Sequence, residues 1–316
     1  MDDPDRWQSL FVQRMRALFE ANGQPAPELS LDGEAADAVG FTVDGVDFEI
    51  SHEAERHRDR LLLECEFGTA PRDEWALRKL LRLNRRLQPT GRGSFGWRQD
   101  ADAITFGMQL PLAQCEKDTI EAVMAAIAQQ AHHWRAGRSL DEAGFPAVES
   151  PDEPWSPSDD DVRSELVHVL HEVCDDERVD GVEELDAPPQ ALALRFSVGD
   201  ADVTLVHAEP GSVRLTLECK YGAAPIVQPV DVLLGLLASN DSHATRGADG
   251  FSLEEPADLA VYRSTCLGPD WTSQDLLTEI LDIARSSTEW FDAWWGSRSP
   301  TQVPSHPVDE LADVLN

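Results

Sequence analysis

Leu61-Leu62-Leu63-Glu64-Cys65-Glu66-Phe67-Gly68-Thr69-Ala70-Pro71 returns 154 positions later as Leu215-Thr216-Leu217-Glu218-Cys219-Lys220-Tyr221-Gly222-Ala223-Ala224-Pro225. Seven positions are identical, and Phe67/Tyr221 keeps an aromatic ring. The flanks keep nearly the same offset. Upstream, Phe41, Val43, Val46, Phe48, Ile50 and His52 fall opposite Phe196, Val198, Ala201, Val203, Leu205 and His207. Downstream, Leu80, Leu81, Asn84, Phe95, Asp102, Phe106 and Trp134 meet Leu236, Leu237, Asn240, Phe251, Asp258, Tyr262 and Trp290. A period of roughly 150 residues predicts two copies of one domain rather than a solenoid of short repeats. The expected division is 1–137 for the first copy, 138–157 for an acidic, proline-rich linker, 158–296 for the second copy and 297–316 for a flexible tail.

Within each copy the period of the apolar residues assigns the elements. Leu10, Phe11, Met15, Leu18 and Phe19 recur at helical spacing and predict an amphipathic opening helix over 7–21, stopped by Asn22-Gly23. Val43-Asp44-Gly45-Val46 reads as a two-residue hairpin, with Val198-Gly199-Asp200-Ala201 at the same place in copy two. A third strand over 60–67 ends at Gly68 and Pro71. A leucine-rich helix over 73–88 follows, then strands at 93–99 and 102–110 and a closing helix at 117–135. Copy two repeats these with a helix from Val230 to Ser239, strands at 249–254 and 258–266, and a last helix. Its own opening helix is expected to start at Ser158, with Asp159-Asp160-Asp161 in the first turn. The order α-β-β-β-α-β-β-α predicts an α+β fold, each copy a mainly antiparallel five-stranded sheet with helices packed on it. The helix 230–239 is apolar nearly all round and is expected to be buried on more than one side.

The chain of 316 residues carries 59 acidic and 26 basic side chains, a formal charge of −33. The imbalance is −9 over residues 1–150 and −24 over the remainder. Such a field disfavours nucleic acid and anionic membrane surfaces, and favours a basic or mixed partner. Five cysteines without a CxxC pair suit a reducing compartment, with Cys65 and Cys219 as buried strand residues. The start, Met1-Asp2-Asp3-Pro4-Asp5, lacks an apolar run, so neither a signal peptide nor a membrane span is expected.

Motifs for chemistry are missing: the sequence has no phosphate loop, nucleophile elbow, HExxH or calcium loop. His168-x-x-His171-x-x-Cys174 spreads over a broad helical arc and has no counterpart in copy one, so no metal site is assigned. His52 and His207 recur at matching places, as residues with a shared structural role do. Trp290, Trp294 and Trp295 with Phe291 form a ring-rich end to the last helix. No catalytic residue and no cofactor are expected.

The module order and size, the low pI of about 4.4, the Asp44-Gly45 hairpin, the strand from Leu61 to Phe67 closed by Gly68 and Ala70-Pro71, and the leucine-rich helix ending near Asn84 resemble the type III secretion chaperones of the Tir chaperone (CesT-like) family. Copy two departs from the pattern at Gly199-Asp200 and in its uncharged central helix. Members of that family are usually homodimers joined mainly through the central helix. The resemblance therefore implies a monomer acting as a pseudo-two-fold dimer, with Leu77, Leu80 and Leu81 against Val232, Leu233, Leu236 and Leu237 at the inter-module interface. It also implies a cytoplasmic bacterial protein that holds an extended segment of a secreted effector and keeps it soluble for export. Capture would use apolar grooves and strand addition at sheet edges. The candidate contacts are Phe11, Met15, Phe41, Val43, Phe48 and Ile50 in copy one, and Val167, Leu170, Phe196, Val198, Val203 and Leu205 in copy two. Because strand side chains alternate, only a fraction of these reach a client. The alternative is a regulatory or immunity-type binding protein on the same fold, which recognises a folded partner through a preformed patch.

Overall fold

The computed structural model describes residues 4–25, 29, 37–52, 59–147, 167–185, 192–207, 215–224, 228–241, 249–266 and 272–295. Two compact units emerge. Unit 1 comprises Met1–Arg72, Leu83–Pro151 and Thr245–Ala248, and unit 2 comprises Asp73–Arg82, Asp152–Ala244 and Asp249–Asn316.

The first copy contains α1 (Pro4–Ala21), β1 (Asp37–Val43), β2 (Val46–His52), β3 (Arg60–Thr69), α2 (Glu74–Leu87), β4 (Ser94–Arg98), β5 (Ala103–Pro111) and α3 (Lys117–Arg135). Its antiparallel sheet runs β1-β2-β3-β5-β4. The second contains a helix over 167–174, α4, then β6 (Asp180–Glu184), β7 (Leu192–Val198), β8 (Ala201–His207), β9 (Leu215–Ala223), α5 (Pro229–Asn240), β10 (Gly250–Glu254), β11 (Leu259–Cys266) and α6 (Ser273–Trp295). Its sheet runs β6-β7-β8-β9-β11-β10. Apart from β6, the two orders are the same.

The likeness extends to details that strand order does not require. Both long strands bulge at the same aromatic–glycine pair: the β3–β5 register skips between Glu66 and Gly68, and the β9–β11 register skips where Gly222 follows Tyr221. Gly68 and Gly222 there hold φ of 139° and 99°, a region a side chain rarely adopts. The bulge aims Phe67 edge-on at Phe95, with centroids 5.0 Å apart and planes at 89°. Tyr221 meets Phe251 in the same way, at 5.0 Å and 87°. Asp102 and Asp258 both take the left-handed conformation, at φ 49° and 52°. Their carbonyls accept from the Ala70 and Ala224 amides, each at 2.9 Å. Buried Asn84 accepts from the Phe95 N–H at 2.7 Å and donates to its carbonyl at 3.0 Å. Asn240 brackets Phe251 at 2.6 and 2.9 Å. Each clamp satisfies one buried donor and one buried acceptor that would otherwise cost about 1–3 kcal/mol apiece.

The hairpins reach one geometry by two routes. Asp44 and Gly45 both hold positive φ, 50° and 73°, as a type I′ turn needs. In copy two only Gly199 does, at 57°, the pattern of a II′ turn. The C-terminal turn of α3 fastens this corner: Arg135 donates to the carbonyls of Phe67, Glu66 and Gly45 at 3.0, 2.9 and 3.1 Å, and His132 Nε2 donates to that of Asp44 at 2.8 Å.

Two expectations are corrected. The second sheet has six strands rather than five, because the acidic segment Asp180–Glu184 pairs with β7. The segment read as an extended linker from 138 onward starts inside unit 1, where Leu140 and Phe145 are buried. Phe145 lies 4.9 Å from Phe106 and 5.7 Å from Phe95, so one phenyl ring among prolines and acids is enough to draw the chain onto the core. In copy two the fourth ring is Trp290, 6.1 Å from Tyr221. The expected start of α4 at Ser158, the tail 297–316 and the side chains of Phe291, Trp294 and Trp295 lie outside the described residues.

Unit 2 takes in the first part of α2, and there Arg82 grips Asp258 with two of its nitrogens, Nε to Oδ1 at 2.7 Å and Nη2 to Oδ2 at 3.0 Å. Arg78 adds a third bond to Oδ2 at 3.0 Å. Burial raises the Asp258 pKa, but bonding to Arg82 and Arg78 outweighs it and the net shift is downward. A lowered folded-state pKa contributes stability that is present above the unfolded carboxylate value, about 3.9, and is lost as pH falls through the folded value. Acid titration of unfolding is therefore expected to show a destabilising limb below about pH 4, and Asp258→Asn is expected to reduce stability at neutral pH and flatten that limb. An unchanged limb in the variant would assign it to other carboxylates.

Candidate functional site

In β1 the two-residue hairpin sets the polarity of the strand. Val43 and Val46 flank the turn as a hydrogen-bonded pair, so Val43, Phe41, Val39 and Asp37 direct their backbone groups to β2. Ala38, Gly40 and Thr42 direct theirs away from the sheet. No strand pairs with that side of β1 among the described residues. All three are exposed, and all have small side chains or none. The edge has no lysine, proline or bulge to blunt it, the devices by which sheets usually discourage another chain from pairing.

Behind the edge, on the core side, half-buried Phe41 packs on half-buried Phe19 of α1, with centroids 4.6 Å apart. Half-buried Val43 continues that rim. On α1 itself a shallow hollow of about 380 Å³ is lined by Ser9, Val12, Gln13, Arg16, Ala17 and Glu20. The opposite face of the edge is acidic: Asp47 and Glu49, both exposed, stand directly across from Thr42 and Gly40 on β2. Thr42 Oγ1 donates to Asp47 at 2.7 Å.

The twelve candidate contacts separate under this geometry. Phe41, Val43 and Val167 are half-buried. Phe11, Met15, Phe48, Ile50, Leu170, Phe196, Val198, Val203 and Leu205 are buried in the cores. Alternation placed them on the apolar side of each strand, and that side is covered. The residues that present backbone groups at the edge, Ala38, Gly40 and Thr42, escape a search for apolar contacts, because their use lies in the main chain. Their signal was the hairpin register together with the lack of any blunting residue. The seven expected interface residues, Leu77, Leu80, Leu81, Val232, Leu233, Leu236 and Leu237, are all buried and all belong to unit 2.

The repeated histidines are buried. His52 donates from Nδ1 to Gln8 at 2.7 Å and stacks on Phe11, centroids 5.3 Å apart. Burial pushes the thiol pKa of Cys65 up, and those of Cys115 and Cys219 to about 12, so these are packing residues rather than nucleophiles. Exposed His168 sits 3.5 Å from Glu172 on the same helix. Among the described residues no group of three or more His, Cys, Asp or Glu is placed to hold a metal ion, and no helix is long and apolar enough to cross a membrane.

The first copy is thus a small α+β domain in which an open strand edge, an aromatic rim and an acidic face converge. The model of the Tir chaperone protein (CesT) family matches residues 15–135, the greater part of the first copy. No curated protein matches the sequence. Similar solved structures include two complexes. One is described as the ExsC–ExsE complex, with 25% identity over 41% of this chain and 93% of that one and a TM-score of 0.33. The other is the ExoT–SpcS complex from Pseudomonas aeruginosa, with 16% identity over 41% of this chain and 97% of that one and a TM-score of 0.28.

Proposed function

We propose that the protein is a non-enzymatic type III secretion chaperone of the bacterial cytoplasm. It holds an unfolded segment of a secreted effector as a strand added to the outer edge of β1, keeping it soluble and competent for export. The single observation that carries this reading is the edge at Ala38, Gly40 and Thr42, exposed and unpaired among the described residues, within the stretch that matches a chaperone family. Main-chain bonds along such an edge supply affinity without demanding a particular sequence, and side-chain surfaces on either face supply selectivity. On one face Phe41 and Val43 accept apolar residues. On the other, Asp47 and Glu49 favour lysine or arginine, in line with the net charge of −33. The preferred client strand alternates apolar and basic residues.

No step in this function uses a nucleotide, metal or cofactor. The second copy repeats the first down to its bulge, clamp and ring geometry, which supports one chain acting as a pseudo-dimer. Co-purification from the native cytosol followed by limited proteolysis tests the reading. A protected, extended fragment of a secreted protein is the expected result. An intact globular partner would replace it with the regulatory or immunity-type alternative.

A further inference from the structure

The edge that has no partner in copy one among the described residues is paired in copy two. Ala193, Arg195 and Ser197 of β7 are the counterparts of Ala38, Gly40 and Thr42, and by the same hairpin logic they direct their backbone groups away from β8. β6 pairs there, Asp180 opposite Ser197 and Glu183 opposite Arg195, and the Leu185 amide donates to the Ala193 carbonyl at 2.9 Å. It stands where an added strand would stand, in antiparallel sense.

β6 is poorly anchored. All five of its residues are exposed, including Val182. Its register breaks between Asp180 and Glu183, and Gly181 within the break holds φ 64°. A strand that buries no side chain is held by a few backbone bonds alone and belongs to the least stable part of a fold. Resting on the strand-accepting reading above, we infer that the β7 edge is a second client site, kept closed by β6 as a built-in stand-in that a better-matched strand displaces.

The two edges differ in the charge they favour. Where copy one has Gly40 beside Asp47 and Glu49, copy two has Arg195, and β6 places Glu183 opposite it. Arg195 is 3.9 Å from Asp202, too far for a tight ion pair. The β1 edge therefore takes a strand with basic residues outward, and the β7 edge one with acidic residues outward.

The test uses the full chain and two synthetic peptides of about eight residues, long enough to span a strand, one alternating valine with lysine and the other valine with glutamate. Glu183→Pro/Leu185→Pro removes two amide donors of the plug without touching either core. The valine–glutamate peptide is expected to bind this double variant at least tenfold more tightly than the unaltered chain, and adding Arg195→Glu is expected to abolish the gain. Faster amide exchange at Arg195, with β8 and β9 still protected, confirms that the plug has opened in a folded protein. Equal binding of the valine–glutamate peptide to both chains overturns the inference. The valine–lysine peptide reports separately on the β1 edge: its binding is expected to be the same in both chains, and its failure to bind either would count against the chaperone reading itself.

Discussion

Phe67→Ala is expected to destabilise the chain by about 3–5 kcal/mol, the usual cost of deleting a fully buried phenyl ring. Phe67 is 0% exposed and meets three other rings, Phe95, Phe106 and Phe145, at 5.0, 5.6 and 6.3 Å. Its position is fixed by the bulge before Gly68, so neighbouring side chains cannot slide into the space without undoing the β3–β5 register. The loss is therefore expected toward the upper end of the range, with no relief from repacking. Tyr221→Ala should cost a similar amount in unit 2 and also removes the bond that the Tyr221 hydroxyl donates to the Ile283 carbonyl at 3.3 Å. Chemical denaturation followed by tryptophan fluorescence checks both variants. A loss below about 1 kcal/mol, typical of surface substitutions, would show that the rings do not form the core described.

Gly40→Pro is expected to weaken client binding by roughly 10- to 100-fold, about 1.5–3 kcal/mol, while leaving stability within about 1 kcal/mol. The proline removes a donor that the β1–β2 ladder does not use, because Val39 and Phe41 make the neighbouring bonds to β2. Its ring also stands at the centre of the open edge, where an added strand must approach within about 4.8 Å. Affinity and stability thus separate in this variant, which core substitutions cannot achieve. Isothermal titration with the effector segment, paired with a melting curve, distinguishes the cases. Unchanged affinity would remove β1 as the docking edge.

Much of this was legible in the sequence because it depends on local chemistry. The apolar period gave every helix and strand of copy one, Asp44-Gly45 gave its hairpin, and the repeat offsets paired Asn84 with Asn240 and Asp102 with Asp258 before either pair had a role. What escaped notice depends on long-range placement. β6 has no apolar alternation to betray it, since Asp180-Gly181-Val182-Glu183-Glu184 buries nothing and forms a strand only because β7 offers it an edge. Phe145 reads as a lone ring in a linker until the fold brings Phe106 beside it. The grip of Arg78 and Arg82 on Asp258 joins residues about 180 positions apart. Which of the candidate contacts are exposed was not legible for a related reason: alternation shows which side of a strand is apolar, and only packing shows whether that side is covered.

Amide hydrogen exchange, residue by residue, with and without the bound effector segment, addresses the central claim most directly. Ala38, Gly40 and Thr42 point their N–H groups outward from an open edge, so they are expected to exchange rapidly in the free chain and to become strongly protected on binding, while Val39 and Phe41 change little. Protection confined to other surfaces, with these three amides still exchanging freely, would contradict strand addition at β1.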